Sequence, residues 1–246
     1  KVDEHGLVVD AIAHLCDQHP IRAVYVTSHH HNPTTVPLSP ERRLKLLELA
    51  AEYRFVIIED DYDYEFHYDN SPLLPLASAD RHGLVVYIGS FSKSIAPAFR
   101  IGYIVAPQRF IEQAVCLRRI IDRQGDCIQE LALADLIDEG VLKRHLNKAV
   151  KQYRNRRDCF ANGLQRHLGD SVKFRLPSGG MALWAHFAPE IDLVRLSREA
   201  KANGLYLSDG TSFRQQLPSL NAVRMGFASM TEEEIEWAFL QLKMLL

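Results

Sequence analysis

Apolar positions recur with two different periods along this chain, and the switching between them predicts its elements. Val8, Ala11, Ile12 and Leu15 fall at i, i+3, i+4 and i+7, one face of a short helix. Ala23 to Thr27 is short, apolar and β-branched, which predicts a buried strand. A polar stretch follows from Ser28. Ser39 then serves as N-cap and Pro40 as first helical residue of an amphipathic helix running to about Arg54. Phe55–Ile58 and Leu84–Ile88 predict two more buried strands, and Ile101–Ala106 a fourth. Apolar strands separated by helices predict βαβ connections and a largely parallel sheet.

Beyond Pro107 the helical period dominates to about His167, with breaks near Gly125 and Gly140. Ala182–Phe187, Leu205–Ser208 and Ala222–Ala228 predict short strands, and Ile191–Asn203 a helix stopped by Gly204. Thr231 and Glu234 form a capping box before a last helix whose apolar face is Ile235, Ala238, Phe239 and Leu242. The expected organisation is an α/β large domain over residues 1–140 and a smaller α+β domain over 141–246.

Composition narrows the function classes. The 246 residues carry 29 Lys and Arg against 31 Asp and Glu, with 47% hydrophobic residues, as ordinary folded proteins do. That balance excludes a disordered chain and a surface given over wholly to nucleic acid. No run reaches the length of a membrane span, and Lys1–Asp10 lacks signal-peptide form, so no membrane partner is expected. Cys16, Cys116, Cys127 and Cys159 are far apart and form no CxxC pair. A reducing cytoplasm is expected, without structural zinc or a disulfide framework.

Ligands of open α/β sheets bind beyond the carboxyl ends of strands. Three such ends carry unusual polar residues: 28–35 (SHHHNPTT), 59–63 (EDDYD), and 89–93 (GSFSK), with Arg100 seven positions on. On neighbouring parallel strands they would gather Asn32, Asp60, Tyr62, Ser90, Ser92, Lys93 and Arg100. Hydroxyls and a guanidinium suit a phosphate. Lys93 is an amine able to form a Schiff base. Asp60 could hold a ring nitrogen protonated, and Asn32 and Tyr62 could donate to a phenolate oxygen. Pyridoxal 5′-phosphate (PLP) satisfies every one of these groups. Taken singly, the groups read otherwise. An acidic strand end is often only solvated or a divalent-metal site, but the EF-hand glycine is lacking, and Ser92 stands where a Walker lysine needs glycine. Adjacent His29, His30 and His31 on extended chain cannot all face one ion, so no metal is expected. The basic residues between Lys143 and Arg166, opposed only by Asp158, read as a solvated helix face.

The strings IEDDYDYEF (58–66) and GSFSKSIAPAFRIGY (89–103), with Asp60 and Lys93 thirty-three residues apart, resemble the PLP and lysine segments of fold-type I aminotransferases. The EDDYDYEF wording, His31-Asn32-Pro33-Thr34-Thr35 and Gly179-Gly180-Met181-Ala182-Leu183-Trp184 look most like the aminotransferase-like domain of MocR-type regulators of the GntR group. The resemblance runs over the whole chain. It implies an internal aldimine on Lys93, with Asp60 at the pyridine nitrogen and Tyr62 and Asn32 at the ring oxygen. It places Ser90, Ser92 and Arg100 at the phosphate, and Arg224 as the residue gripping the carboxylate of a substrate or effector, a task suited to a bidentate guanidinium.

The same resemblance implies a homodimeric sensor of an amino compound, with DNA bound through an N-terminal winged helix-turn-helix. The alternative is a genuine class I/II aminotransferase. Two departures stand out. Thr35 occupies a place where glycine is common. The chain also starts late in the family pattern, without the ring-stacking aromatic, further phosphate donors or the winged helix-turn-helix, and so reads as truncated at its N-terminus. On that ground the fragment alone is expected to bind PLP weakly or not at all.

Overall fold

The protein is described by a computed structural model covering residues 1–69, 73–214 and 220–246, without the side chains of 213 and 214. It forms two compact units: Lys1–His31, Val36–Glu65 and Ser71–Lys148 make the first, and Asn32–Thr35, Phe66–Asn70 and Ala149–Leu246 the second.

The first unit opens with a small hairpin, β1 (Val2–Asp3) and β2 (Gly6–Leu7). There follow α1 (Val9–Gln18), β3 (Ala23–Val26), α2 (Pro40–Tyr53), β4 (Val56–Asp61), β5 (Val85–Ser90) and β6 (Gly102–Val105). Next come α3 (Gln108–Ile121) and α4 (Cys127–Asp138), and then α5 (Val141–Leu168), which belongs here as far as Lys148. The strands form one sheet in the order β3–β4–β5–β6. The first three are parallel, and β6 returns antiparallel to β5. Asp60 lies opposite Ile88, and Ser90 opposite Gly102.

One face of this sheet packs on an apolar core. Val26, Ile57 and Val85 meet Val9 and Ile12 of α1 and Leu46, Leu49 and Ala50 of α2. Burial along β4 therefore alternates residue by residue, as a pleated strand with one covered face requires. The caps follow the sequence signals. Ser39 accepts a hydrogen bond from the Arg42 amide ahead of α2, and Asp126 accepts two from the first turn of α4. Gly89 and Gly102 are needed where β5 meets β6. A Cβ at Gly89 would overlap the Tyr103 ring, and one at Gly102 would lie 2.9 Å from the Gly89 carbonyl oxygen.

The second unit holds the rest of α5, then β7 (Val172–Phe174), β8 (Ala182–Phe187), α6 (Leu193–Ala202), α7 (Thr211–Arg214), β9 (Ala222–Gly226) and α8 (Glu232–Leu245). Its sheet is antiparallel in the order β7–β8–β9, and the Thr231–Glu234 capping box is formed in full. Two expectations are corrected. Leu205–Ser208 is irregular chain rather than a strand, since the Leu207 carbonyl accepts from the Ser197 hydroxyl (2.6 Å) instead of from a neighbouring strand. The basic stretch of α5 is not uniformly solvated. Arg157 is buried and donates to Asp69, Asp158 and the Pro177 carbonyl.

Phe160 of α5 packs edge-on against Phe239 of α8, with ring centroids 4.7 Å apart, and Gly163 makes room for the same ring. A Cβ at Gly163 would stand 2.5 Å from Phe239 Cδ2. Gly163→Ala should therefore destabilise the protein by about 1–3 kcal/mol in chemical denaturation, because overpacking outweighs alanine's gain in helix propensity of about 1 kcal/mol.

Candidate functional site

The carboxyl ends of β4 and β5 adjoin in the first unit. On the face of the sheet opposite the α1–α2 core, alternation presents Asp60, its partner Ile88 and, two residues further along β5, Ser90. Tyr62 follows on the same side of the chain as Asp60 and donates to the His30 carbonyl oxygen at 3.4 Å.

Asp60 has a partner that sequence reasoning missed. The hydroxyl of Tyr25, on β3, donates to Asp60 Oδ2 at 2.5 Å. Tyr25 lies opposite Ile58, so the two-residue repeat puts it on Asp60's face. It was read only as part of a buried strand, yet it is 61% exposed, which is the signal that it serves something other than the core. Desolvation and the neighbouring carboxylate push its phenol well above the usual tyrosine range. The second oxygen of Asp60 accepts no hydrogen bond among the described residues.

Past β5 the chain turns tightly. The Ser90 hydroxyl accepts from the Ser92 amide at 3.2 Å, and the Ile95 amide returns to the Phe91 carbonyl. The Phe91 amide donates to the Ile101 carbonyl, which carries the β5–β6 pairing one step further and brings Arg100 back toward Ser92. Arg100 sits in the left-handed region at φ 48°, an unfavourable place for a side chain that recurs at functional sites. Lys93 and Arg100 are both exposed, and neither pairs with a carboxylate among the described residues. Two cations that meet no carboxylate among the described residues, on a turn that also carries two hydroxyls, are the kind of donors that suit an external anion. An accepting carboxylate oxygen on the adjacent strand suits a protonated ring nitrogen. The groups present thus fit a phosphorylated pyridine aldehyde.

Asn32 and Arg224 belong to the second unit. Arg224 lies on β9 opposite Trp184. Thr35 adopts φ 61°, the left-handed conformation in which glycine rests most easily. His29 and His30 do not converge on a common point. Each meets its own carboxylate, Asp61 and Asp63 respectively, both at 2.8 Å. No group of three or more metal-ligating side chains occurs among the described residues, and no helix among them is long and apolar enough to cross a membrane.

Residues 2–240 match the family of class I and II aminotransferases. The chain is 31% identical over 239 residues to aromatic-amino-acid aminotransferase 1 of Thermococcus litoralis, covering 95% of this chain and 57% of that one. It is 32% identical over 242 residues to the HTH-type transcriptional regulator YdeL of Bacillus subtilis, covering 98% and 51%. The chain thus spans little more than half the length of these curated relatives. The kynurenine aminotransferase of Pyrococcus horikoshii, solved in complex with PMP, superposes with a TM-score of 0.90 at 27% identity, over 99% of this chain and 62% of that one. With its mixed sheet, its lysine turn and a match along almost its entire length, the chain belongs to the aminotransferase class I and II family and has the fold-type I architecture.

Proposed function

We propose that this chain is the PLP-binding, aminotransferase-like effector and oligomerisation domain of a MocR/GntR-type bacterial transcriptional regulator. The observation that carries the cofactor reading is that outward-facing Asp60 and Ser90 lie at the adjoining ends of β4 and β5, and that the turn after β5 carries Ser92, Lys93 and Arg100, whose two cations meet no carboxylate among the described residues. The similarity to YdeL along nearly the whole chain supports the regulatory reading. Bound PLP supplies an electrophilic aldehyde carbon and an electron-withdrawing ring. In this reading Lys93 would hold the cofactor through its aldehyde carbon, and Ser90, Ser92 and Arg100 would hold the phosphate. Asp60, hydrogen-bonded to Tyr25, would keep the ring nitrogen protonated, and Tyr62 would supply a donor to the ring oxygen. Asn32 and Arg224 enter by resemblance alone, as a second donor to the ring oxygen and as the grip on the amino compound's carboxylate.

An amino compound that competes with Lys93 for the cofactor would favour one arrangement of a cytoplasmic homodimer over another, and a winged helix-turn-helix in the full-length protein would read that shift at DNA. Residues 1–140 and 141–246 serve in this reading as the large and small domains. A second reading, a working aminotransferase, is favoured by the 31% identity to the Thermococcus litoralis enzyme. There the Lys93 amine also takes the proton from the α-carbon of the amino acid.

Full-length protein mixed with PLP should develop a visible absorption band, and borohydride should fix the cofactor to the peptide containing Lys93. Lys93→Ala should abolish both, and labelling at another lysine would overturn the assignment. Adding amino acids to the loaded protein separates the two readings. Conversion of bound PLP to PMP with release of a 2-oxo acid identifies an enzyme. Binding that shifts operator affinity without conversion identifies a sensor. Tyr25→Phe, which removes one hydrogen bond to Asp60, should weaken PLP about fivefold in equilibrium titration, or about 1 kcal/mol.

A further inference from the structure

The acidic segment at the end of β4 is sorted by the pleat. Asp60 and Tyr62 face outward, whereas Glu59, Asp61 and Asp63 turn inward and are buried. Each inward carboxylate meets one residue of the segment that follows β3, in order. The Ser28 hydroxyl donates to Glu59 Oε1 at 2.5 Å. His29 Nδ1 lies 2.8 Å from Asp61 Oδ2, and His30 Nδ1 lies 2.8 Å from Asp63 Oδ1. Backbone pairing of β3 with β4 stops at Val26 and Glu59, so these contacts continue the join as a ladder of side chains. Consecutive residues on one strand answer alternate residues on the other.

His29 is fixed at both ring nitrogens. Its Nε2 lies 2.7 Å from the Leu73 carbonyl oxygen, which can only accept, so Nε2 carries a hydrogen. Its Nδ1 faces Asp61 Oδ2, which also accepts the Tyr87 hydroxyl at 3.1 Å. A hydrogen must therefore lie between Nδ1 and Oδ2, and the buried pair carries one shared proton and no net charge. Glu59 in turn accepts the amides of Leu76 and Ala77. The proposed cofactor contacts use none of these inward groups, yet every outward one has inward groups on both sides.

We infer that His29 and His30, with Asp61 and Asp63, are positioning residues: the buried ladder fixes the end of β4 so that Asp60 and Tyr62 point at the bound ring. The inference rests on the PLP reading for the identity of that ring, but the aim of Asp60 can be read without any cofactor through Tyr25, which is hydrogen-bonded to it.

The test compares His29→Ala, Asp61→Ala and Asp61→Asn in full-length protein. Asparagine keeps the shape, and its amide nitrogen, standing at Oδ2, can donate one hydrogen to a neutral His29 Nδ1 and the other to the Tyr87 hydroxyl oxygen. Below the melting temperature, the alanine variants should bind PLP at least about tenfold more weakly, and Asp61→Asn should stay within about threefold of wild type. In cofactor-free protein labelled with fluorotyrosine, the Tyr25 resonance, assigned through Tyr25→Phe, should shift or broaden in the alanine variants and remain in place in Asp61→Asn. Alanine variants that melt earlier yet keep wild-type affinity and an unmoved Tyr25 resonance would reduce the ladder to a structural role. Asparagine failing as badly as alanine would overturn the shared-proton assignment. If the alanine variants do not fold, Tyr87→Phe, which removes a single donor from Asp61, should weaken PLP about threefold and shift the same resonance, and no change in either would overturn the inference. If wild type binds no PLP, the cofactor reading fails while the fluorine measurement still decides the ladder.

Discussion

A side chain on an extended strand can face only two ways, and β4 uses both for different chemistry. Glu59, Asp60, Asp61, Tyr62 and Asp63 would form a repulsive cluster if they shared one surface. Alternation divides them between the hydrogen-bonded interior and the open side of the sheet. A one-residue slip in the register of β4 against β3 would send the inward carboxylates out and the outward carboxylate, Asp60, into the α1–α2 core. The parallel pairing of Ala23–Val26 with Val56–Glu59, locked by Ile57 and Val26 among apolar neighbours, is what makes the outward surface usable.

Burying that much polarity is costly unless every group is answered. Carboxylates taken from water lose several kcal/mol each, and removing one member of a buried pair typically costs about 3–5 kcal/mol, against about 0–1 kcal/mol at the surface. The structure meets most of that cost locally, although Asp63 Oδ2 is buried with no hydrogen-bond partner among the described residues. Arg43, itself buried, donates to the carbonyls of Ser28, Leu38 and Leu74. Its guanidinium is drawn down by desolvation and pushed back up by Glu59 and Asp61. One arginine, two histidines and three carboxylates thus tie the end of β3, the end of β4 and the loop at 73–77 into one block. Exposed pairs such as Arg195 with Glu199 do no comparable work.

Much of this was legible in the sequence, for physical reasons. Helix ends with side-chain caps (Ser39, Thr231) and strands with continuous apolar runs (Phe55–Ile58, Leu84–Ile88) carry their signals locally, and the structure places elements there. The strand expected at Leu205–Ser208 failed because pairing is non-local, and Ser197, distant in sequence, captured the carbonyl a ladder would have needed. The groups around Asp60, Ser90, Lys93 and Arg100 stood out because charged and hydroxyl residues interrupt apolar strands at their ends. Tyr25 did not, because a tyrosine inside an apolar run looks like core until the register across to Asp60 is known. The pairing of His29 and His30 with separate acids was hidden for the same reason. The sequence shows three histidines in a row, but not that the chain bends at His29 and His30 and buries both.

The antiparallel return of β6 has a further consequence. Because the chain leaves β5 and returns antiparallel beside it as β6, residues 91–101 form one excursion with Lys93 and Arg100 on its two limbs. Lengthening or shortening that excursion alters the separation of the two cations while leaving the pairing of Tyr87–Ser90 with Gly102–Val105 untouched, and loop closure charges little for a few residues more. The separation of Lys93 and Arg100 can therefore change by insertion or deletion in that excursion without rebuilding the core of the sheet.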